Sequence, residues 1–370
     1  MHRCRQHCLA HGLAAWPAWT AATHAHKLLD ATLCYYFQYV TSRISQDRAS
    51  EQARPGLTTP WSERVEEILD GDHAVALAYA TPARGVVLAP VSNFGLNDRE
   101  AGVVTVNSSV GAWKKLERIR RNPQVTIVFH TRAHAAHNRP EYVLVQGRAS
   151  LQPPLADYPS SILKHWERIE PWRDLGPLWK RWLRIYALRV EIQIAVERVI
   201  VWPDLECRGT PDVEGVALPV KTPPPQERPI KGTAPRVNQT RVARRAEKLP
   251  DVLLGWIATD GFPFVIPVGV GAADEHGIQL EPSSALVPPG SRRAGLTAHW
   301  FSHGVVGQRQ MICTGWMEVE SSDGVVTYSP HTLAAYRMPS SRFIYRLAVG
   351  LFTRLRYREA RQSATNVTDP

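Results

Sequence analysis

Two strand-rich segments of this chain resemble each other, and this internal similarity limits the folds available to it. The stretch GWIATDGFPFVIPVGV (255–270) aligns without gaps on AYATPARGVVLAPVSN (78–93), matching Trp256 to Tyr79 and Pro267 to Pro90. A repeated order of strands on this scale predicts two tandem copies of one β fold.

The rest of the second segment continues the match. Its stretches GIQLE, LTAHWF and MICTGWMEV follow the order of GVVTV, VTIVFH and VLVQGRASL in the first, which puts Phe301 opposite His130 and Gly315 opposite Gly147. Short strands rich in β-branched residues, separated by turn signals, favour small antiparallel barrels. We therefore predict a mainly β chain with two tandem small antiparallel barrels and helical insertions.

Proline and charge divide the 370 residues into five predicted regions. The clearest boundary is PVKTPPPQERPIKGTAPR, where consecutive prolines among charged residues cannot form a core and indicate a linker. The regions are a leader at 1–56 that is disordered or not translated, a first barrel at 57–210, a proline-rich basic linker at 211–248, a second, degenerate barrel at 249–362 and a disordered tail at 363–370.

The net charge of +10 is concentrated in three stretches, 1–60, 221–250 and 337–370, and the remainder of the chain is slightly acidic. Aromatic residues are not interleaved with these basic residues, as a nucleic-acid stacking surface requires, so we predict no specific nucleic-acid partner. Five cysteines without CxxC spacing indicate free thiols in a reducing cytosol. No apolar run reaches the roughly 18 residues of a membrane span, so we predict a cytoplasmic protein without a membrane partner.

The stretch NSSVGAWKKLERIRRNPQVTIVF (107–129) predicts a helix between two strands of the first copy. Ser108 or Ser109 is expected to cap it, and Lys114 and Lys115 lie near its N-terminus. Free backbone N–H groups, hydroxyls and two ammonium groups suit a phosphate, although a capped surface helix with solvated lysines has the same pattern. The second copy has PSSALVPPGSRRAG here, whose paired prolines exclude a regular helix.

This helix and its neighbours resemble the FMN-binding split barrel of the pyridoxamine 5′-phosphate oxidase-like superfamily. The resemblance implies two tandem split β-barrels, each six-stranded, antiparallel and of Greek-key type, with the first copy at 57–210 as the FMN-binding one. The matching stretches are Asn107-Ser108-Ser109, Trp113-Lys114-Lys115-Leu116, Arg121-Asn122-Pro123 and Val145-Gln146-Gly147-Arg148-Ala149. The resemblance implies FMN as cofactor, with the related deazaflavin F420 as the alternative and haem as a weaker one. It also implies cofactor-binding residues, namely Lys114, Lys115, Asn107, Ser108 and Ser109 at the phosphate, and backbone near Val91 and Ser92 at the ring.

The resemblance further implies a flavin- or deazaflavin-dependent oxidoreductase that transfers hydride to or from a small organic substrate. The alternative is a non-catalytic carrier of flavin, F420 or haem. The Arg-x-Val-Leu-Leu-Lys signature of true pyridoxamine phosphate oxidases is absent, so that substrate is not expected. Members usually dimerise, and two copies in one chain imply a pseudo-dimer with one site, with a further homodimer left open. No residue stands out as catalytic.

Three histidines, His130, His134 and His137, follow the fourth strand of the first copy at spacings that could serve a metal or haem. No carboxylate or cysteine nearby in the sequence completes a ligand set, so we predict no metal site. Four tryptophans lie on the helical insert that follows the fifth strand, where ordinary packing is favoured over a lid above a flat ring.

Overall fold

A computed structural model describes residues 58–155, 158–319 and 325–365 of the chain. The predicted leader lies outside these ranges. Most of the regular structure in them belongs to two antiparallel sheets, which confirms the prediction of a mainly β fold. No helix in the described ranges is long and apolar enough to cross a membrane.

The first sheet is an open half-barrel of eight strands, with the order β2-β1-β5-β6-β7-β4-β3 and β8 added beside β7. Because β1 and β6 are largely buried along their length, their apolar residues form runs and do not alternate. The strands are β1 (Ala74–Ala80), β2 (Val86–Ser92), β3 (Leu96–Asp98), β4 (Val103–Ser109), β5 (Gln124–Phe129), β6 (Tyr142–Leu151), β7 (Arg189–Trp202) and β8 (Asp212–Gly215).

The second sheet is a closed ring of six strands in the order β10-β11-β14-β13-β12-β9. Its interior holds a separate apolar core that includes Trp256, Ile266, Leu296 and Tyr328. The strands are β9 (Asp251–Ile257), β10 (Pro263–Ala273), β11 (Ile278–Pro282), β12 (Gly290–Phe301), β13 (Gln308–Val319) and β14 (Val326–Met338).

Helices precede, connect and follow the strands of the two sheets. The longest, α8, follows the last strand of the second sheet. The helices are α1 (Glu63–Gly71), α2 (Trp113–Arg121), α3 (Tyr158–Ser161), α4 (Leu163–Trp166), α5 (Pro177–Trp182), α6 (Arg184–Ala187), α7 (Gln239–Ala246) and α8 (Arg342–Thr365). Trp166 and Trp172 of the helical insert are buried in an apolar cluster, as the packing interpretation predicted.

The two sheets share one strand order, since β2-β1-β5-β6-β7-β4 corresponds to β10-β9-β12-β13-β14-β11. Each also carries a register shift at the same place, next to Gly147 in the β6–β7 pair and next to Gly315 in the β13–β14 pair. A Cβ at Gly147 would lie 2.2 Å from the Ala195 carbonyl oxygen, and one at Gly315 would lie 2.3 Å from that of Ser329. Glycine at both shifts follows from this close approach of the neighbouring backbone.

The first sheet differs from the predicted six-stranded barrel by its extra strands and its open edge. Strand β2 forms this edge and packs against the second barrel, where Gly255 and Gly295 are cross-strand partners. A Cβ at Gly295 would lie 2.4 Å from the Val86 carbonyl oxygen, so a side chain there would hold β2 away. The edge of one sheet is therefore covered by the surface of the other.

Strand register corrects one part of the sequence alignment. Ala76 pairs with Val128 in the first sheet, and its counterpart Leu253 pairs with Thr297 in the second. Continued by two residues, this register makes His299, and not Phe301, the counterpart of His130. A six-residue apolar match fixes register poorly, because a shift of two preserves the inward and outward faces of a strand.

Regular structure also occurs inside two ranges that were predicted to lack it. Strand β8 and helix α7 lie within the linker range 211–248, where β8 pairs with β7 and Val242 of α7 is buried against the second barrel. Helix α8 continues to Thr365, so its last residues fall within the range predicted as a tail. Strand β8 and helix α7 are held by contacts with distant strands, which the local sequence does not show.

Candidate functional site

A cleft of about 760 Å³ lies between the first sheet, the second barrel and helix α8. Its size falls within the range usual for small-molecule sites. One wall comes from β2, β4, the start of α2 and the start of β7. The other comes from the ends of β12 and β14, the start of β13 and one face of α8.

All seven residues predicted to bind a cofactor line this one cleft. They come from three elements, namely strands β2 and β4 and the first turn of helix α2. Strand β7, which pairs with β4, belongs to the same wall. The residues are Val91, Ser92, Asn107, Ser108, Ser109, Lys114 and Lys115.

Helix α2 brings the lysine pair to the cleft at its N-terminus. The helix starts at Trp113, with no acidic residue in its first turn and with Leu116 and Ile119 buried beneath it. The predicted serine cap is not formed, because the N-cap position is Ala112 and makes no side-chain bond. Ser109 instead accepts a hydrogen bond from the Gly111 N–H in the turn before the helix. The positive end of the helix dipole and both lysines thus lie on the same wall.

Lys115 lies in an electrostatic environment that an anion would improve. Removal of its ammonium from water, with the Arg189 guanidinium nearby, lowers the pKa of Lys115 to about 8. The residue keeps partial exposure where it lines the cleft. Lys114 is exposed beside it. Two cationic groups on one wall, with a third from Arg189, give the cleft a positive end.

Two buried donors at this end have no acceptor among the described residues. They are Nδ2 of Asn107 on β4 and Nε of Arg189 at the start of β7. The Arg189 guanidinium lies over the Tyr186 ring, 4.3 Å from its centroid, which holds the side chain at the cleft. Buried donors without acceptors are costly, and these two lie beside the cleft, where the acceptor oxygens of a ligand could meet them.

Sequence reasoning missed the second wall. Phe301, Gln310 and Tyr336 come from the second barrel, and Tyr345, Val349, Phe352 and Arg356 come from α8. The Tyr336 and Phe352 rings stack with centroids 6.2 Å apart. These four α8 residues are spaced by four, three and four positions. This spacing places them on one face of a helix and could have been recognised in the sequence.

The position equivalent to this cleft in the first sheet is filled. The cross-strand pair Gln310–Tyr336 of the cleft corresponds by register to Tyr142–Trp202 in the first sheet. Tyr142 and Trp202 are fully buried in an apolar cluster that also contains Val265, and the Tyr142 hydroxyl donates to the Val265 carbonyl. Larger aromatic side chains therefore occupy the space that the glutamine and tyrosine leave open.

The arginine pair of the second copy does not form a matching cationic site. Arg292 and Arg293 lie within strand β12, and Arg292 is buried, where it donates to the Pro223 and Pro289 carbonyls. Burial lowers the pKa of Arg292. Through these hydrogen bonds, Arg292 attaches the proline-rich stretch to the second barrel.

The three histidines considered as metal ligands separate in the structure. His137 Nε2 lies 3.2 Å from Asp72 Oδ1, and the His134 ring packs edge-on against His303. His130 instead meets His299 of the second barrel, with 3.0 Å between their Nε2 atoms. Burial lowers the pKa of His130 to about 4 and that of His299 well below its usual value, so both rings are neutral at pH 7.

Comparison with known proteins gives structural matches alone. No family model and no curated protein matches the chain. A Clostridium acetobutylicum protein related to general stress protein 26 of B. subtilis, of the pyridoxinephosphate oxidase family, is 12% identical over 40% of this chain and 90% of its own, with a TM-score of 0.27. A pyridoxamine 5′-phosphate oxidase-related, FMN-binding protein from Nostoc punctiforme is 10% identical over 58% and 100%, with a TM-score of 0.28.

A third match is a FAD-binding protein from Mesorhizobium loti, 22% identical over 38% of this chain and 94% of its own, with a TM-score of 0.25. TM-scores this low carry no argument about ligand or activity. Two of these three solved structures are described as pyridoxine- or pyridoxamine-phosphate oxidase-related proteins.

Proposed function

We propose that the cleft binds FMN and that the protein is an FMN-dependent oxidoreductase acting on a small organic substrate. The observation that carries the proposal is the convergence of Lys114, Lys115, Asn107 and Arg189 at one end of a cleft whose other wall is aromatic. A phosphate needs cations and N–H donors, whereas a flavin ring needs flat apolar surfaces.

The positive end of the cleft suits the phosphate. Lys114 and Lys115 would supply charge at the N-terminus of α2, where the helix dipole adds to it. The buried Asn107 and Arg189 donors would gain the acceptors that they lack among the described residues. Ser108 and Ser109 line the same end and offer hydroxyl donors.

The other end suits a flat ring. The Pro90–Ser92 segment of β2 lines one wall, and the aromatic rings of Phe301, Tyr336 and Phe352 line the cleft from the second barrel and α8. These aromatic side chains would exclude water from the ring and leave room for a small organic substrate. Gln308 and Gln310 add polar groups that could orient the substrate.

A bound flavin would supply the hydride chemistry, which this protein need not perform with its own side chains. The chain would bind the phosphate, orient the ring between the walls and limit access of water. We assign no catalytic residue. F420 remains the alternative cofactor and haem a weaker one, and a carrier that holds the same cofactor without turnover is the alternative function.

We also infer that the two sheets arose by tandem duplication and form a pseudo-dimer with one cofactor per chain. Their shared strand order and matching glycine bulges support this inference. The filled counterpart of the cleft supports a single site. A stoichiometry of two flavins per chain in a saturation titration would contradict it.

The proposal is tested by titrating the full chain with FMN, and separately with F420, while following cofactor fluorescence. The double variant Lys114→Ala/Lys115→Ala should weaken FMN binding by about 10–100-fold, because two charge-assisted hydrogen bonds are lost. Its matched control is Lys221→Ala/Lys231→Ala, which removes the same charge from exposed positions of the proline-rich stretch.

Two results would overturn the proposal. One is a wild-type protein that binds neither FMN nor F420 at micromolar concentration. The other is an equal loss of affinity in both double variants, which would indicate unspecific attraction by net charge. Turnover of a reducible substrate by the FMN-loaded protein then separates an oxidoreductase from a carrier.

A further inference from the structure

We propose that His130, His299 and Asp251 form a binding site for one zinc-like divalent cation between the two barrels. His130 follows β5 of the first sheet, whereas His299 and Asp251 are register partners on β12 and β9 of the second. One ligand atom from each residue lies within 4.8 Å of the other two. The site is separate from the flavin cleft and does not depend on its function.

Hydrogen bonding around His130 leaves its Nε2 atom as a ligand. Its Nδ1 lies 3.1 Å from the Val128 carbonyl oxygen, which can only accept, so Nδ1 carries the hydrogen. Nε2 is then a lone pair, and it faces both Thr131 Oγ1 and His299 Nε2 at 3.0 Å. One lone pair cannot serve two donors equally well. A backbone carbonyl that fixes the opposite ring nitrogen is the usual arrangement for a metal-binding histidine.

The separations suit a small cation with little movement. His130 Nε2 and His299 Nε2 are 3.0 Å apart, and His299 Nε2 and Asp251 Oδ2 are 3.9 Å apart. Tetrahedral coordination with bonds of about 2.0–2.1 Å places ligand atoms ~3.3 Å apart, which lies between these two values. Two histidines and one carboxylate leave a fourth position for water or for the Thr131 hydroxyl.

Burial and charge are also compatible with a cation. The His130 and His299 side chains are buried, and Asp251 is partly exposed, which gives the ion a route from solvent. The Asp251 carboxylate offsets one of the two positive charges, and Asp72 lies near enough to influence it electrostatically. Nitrogen and carboxylate donors of this kind favour Zn²⁺, Co²⁺ or Ni²⁺ over Ca²⁺ or Mg²⁺.

The register explains why two histidines meet here. His130 and His299 occupy equivalent positions in the two sheets, so each approaches the same point from its own barrel. Asp251 has no acidic counterpart, since Ala74 occupies the equivalent position of β1. A cation at this point would join the two barrels directly. It would thereby stabilise the packing of one barrel on the other, which brings the two walls of the cleft together.

The test uses Co²⁺, whose visible absorption reports tetrahedral coordination, added to the full-length protein after chelation and dialysis. We expect one tight site in the wild type, displaced by Zn²⁺, and a higher midpoint of thermal unfolding with Zn²⁺. Asp251→Asn and His299→Gln should each weaken Co²⁺ binding by at least about 10-fold. His276→Gln, at an exposed histidine of the second barrel, is the matched control and should bind as the wild type does.

The chain has five histidines before residue 58, so the readout is the difference between variants and wild type. Wild-type protein that shows no tetrahedral Co²⁺ spectrum would overturn the proposal and leave the two histidines as a buried hydrogen bond. The same follows if neither Asp251→Asn nor His299→Gln lowers the affinity. Near-ultraviolet circular dichroism checks folding, and Asp251→Asn preserves shape at a partly exposed position if His299→Gln does not fold.

Discussion

The two sheets share a strand order and a glycine bulge but use equivalent positions differently. In the first sheet, Tyr142 and Trp202 fill a space in the core, whereas their counterparts Gln310 and Tyr336 in the second line an open cleft. Between β4 and β5 the first has helix α2 with its lysine pair, and the second has a short proline turn. The same scaffold therefore supplies a wall with two lysines from one sheet and a wall with aromatic rings from the other.

This difference shows which features belong to the scaffold and which to the site. Positions where backbones approach closely are the same in both sheets. Positions that face the open cleft or its filled counterpart differ between the sheets, because a buried aromatic pair and an open cleft require different side-chain volumes. The following variants either break features that the sheets share or exchange features in which they differ.

The largest effect is expected at the bulge glycines. Gly147→Ala and Gly315→Ala would each place a Cβ within 2.3 Å of a neighbouring carbonyl oxygen. We expect each to lower the free energy of unfolding by about 3 kcal/mol, since strand β6 or β13 must move away from its partner. Denaturant unfolding of both variants measures this, with Gly176→Ala as control because a Cβ there meets nothing within 4 Å. Strongly unequal losses would mean that the two bulges are not equivalent.

Placing the aromatic pair of the first sheet at the equivalent positions of the second should fill the cleft. The double variant Gln310→Tyr/Tyr336→Trp gives the second barrel the residues that the first has at 142 and 202. We expect FMN affinity to fall by about 100-fold, because the added side chains occupy cleft volume, which is roughly 2.7 kcal/mol of binding energy. Fluorescence titration measures it. Unchanged affinity would show that the flavin does not lie against this wall.

The two basic pairs should respond in opposite ways. Arg292→Ala removes a buried guanidinium and leaves the Pro223 and Pro289 carbonyls without their donor. We expect a loss of about 2 kcal/mol in unfolding free energy with no change in FMN affinity. Lys114→Ala/Lys115→Ala should lower affinity and leave stability nearly unchanged. Parallel unfolding and binding curves test the contrast, and a loss of FMN affinity in Arg292→Ala would refute it.

The smallest effect is a pH dependence of binding. The pKa of Lys115 is lowered to about 8, so its charge is complete below pH 7 and is lost as the pH rises through 8. A bound phosphate favours the charged form, and affinity should therefore fall by about 3–10-fold between pH 7 and 9. In Lys115→Arg the guanidinium stays charged, and the fall should disappear. A fall of the same size in Lys115→Arg would assign the titration to another group.

Local signals in the sequence indicated most of the strands, whereas the predicted cleft residues of β2, β4 and α2 came from the family resemblance. Lys114 and Lys115 lie at the start of α2, directly after β4, so this part of the wall is local in sequence. Arg189 and the β2 residues reach the same wall through strand pairing, which local patterns do not show. The second wall was not predictable in this way, because Phe301 and the α8 residues reach the cleft through the packing of one barrel on the other. The His130–His299 contact required the strand register, which the alignment missed by two residues.

The second barrel covers the open β2 edge within one chain. This affects how cofactor binding depends on protein concentration and how the two walls of the cleft can change in evolution. A site built by two separate chains is lost on dilution, whereas here closure is intramolecular and independent of protein concentration. FMN affinity should then be the same at nanomolar and micromolar protein. In a single chain, each wall can also acquire substitutions independently, because the equivalent residues Tyr142 and Gln310 are encoded separately. In a symmetric pair of identical chains, any residue that filled one cleft would fill both.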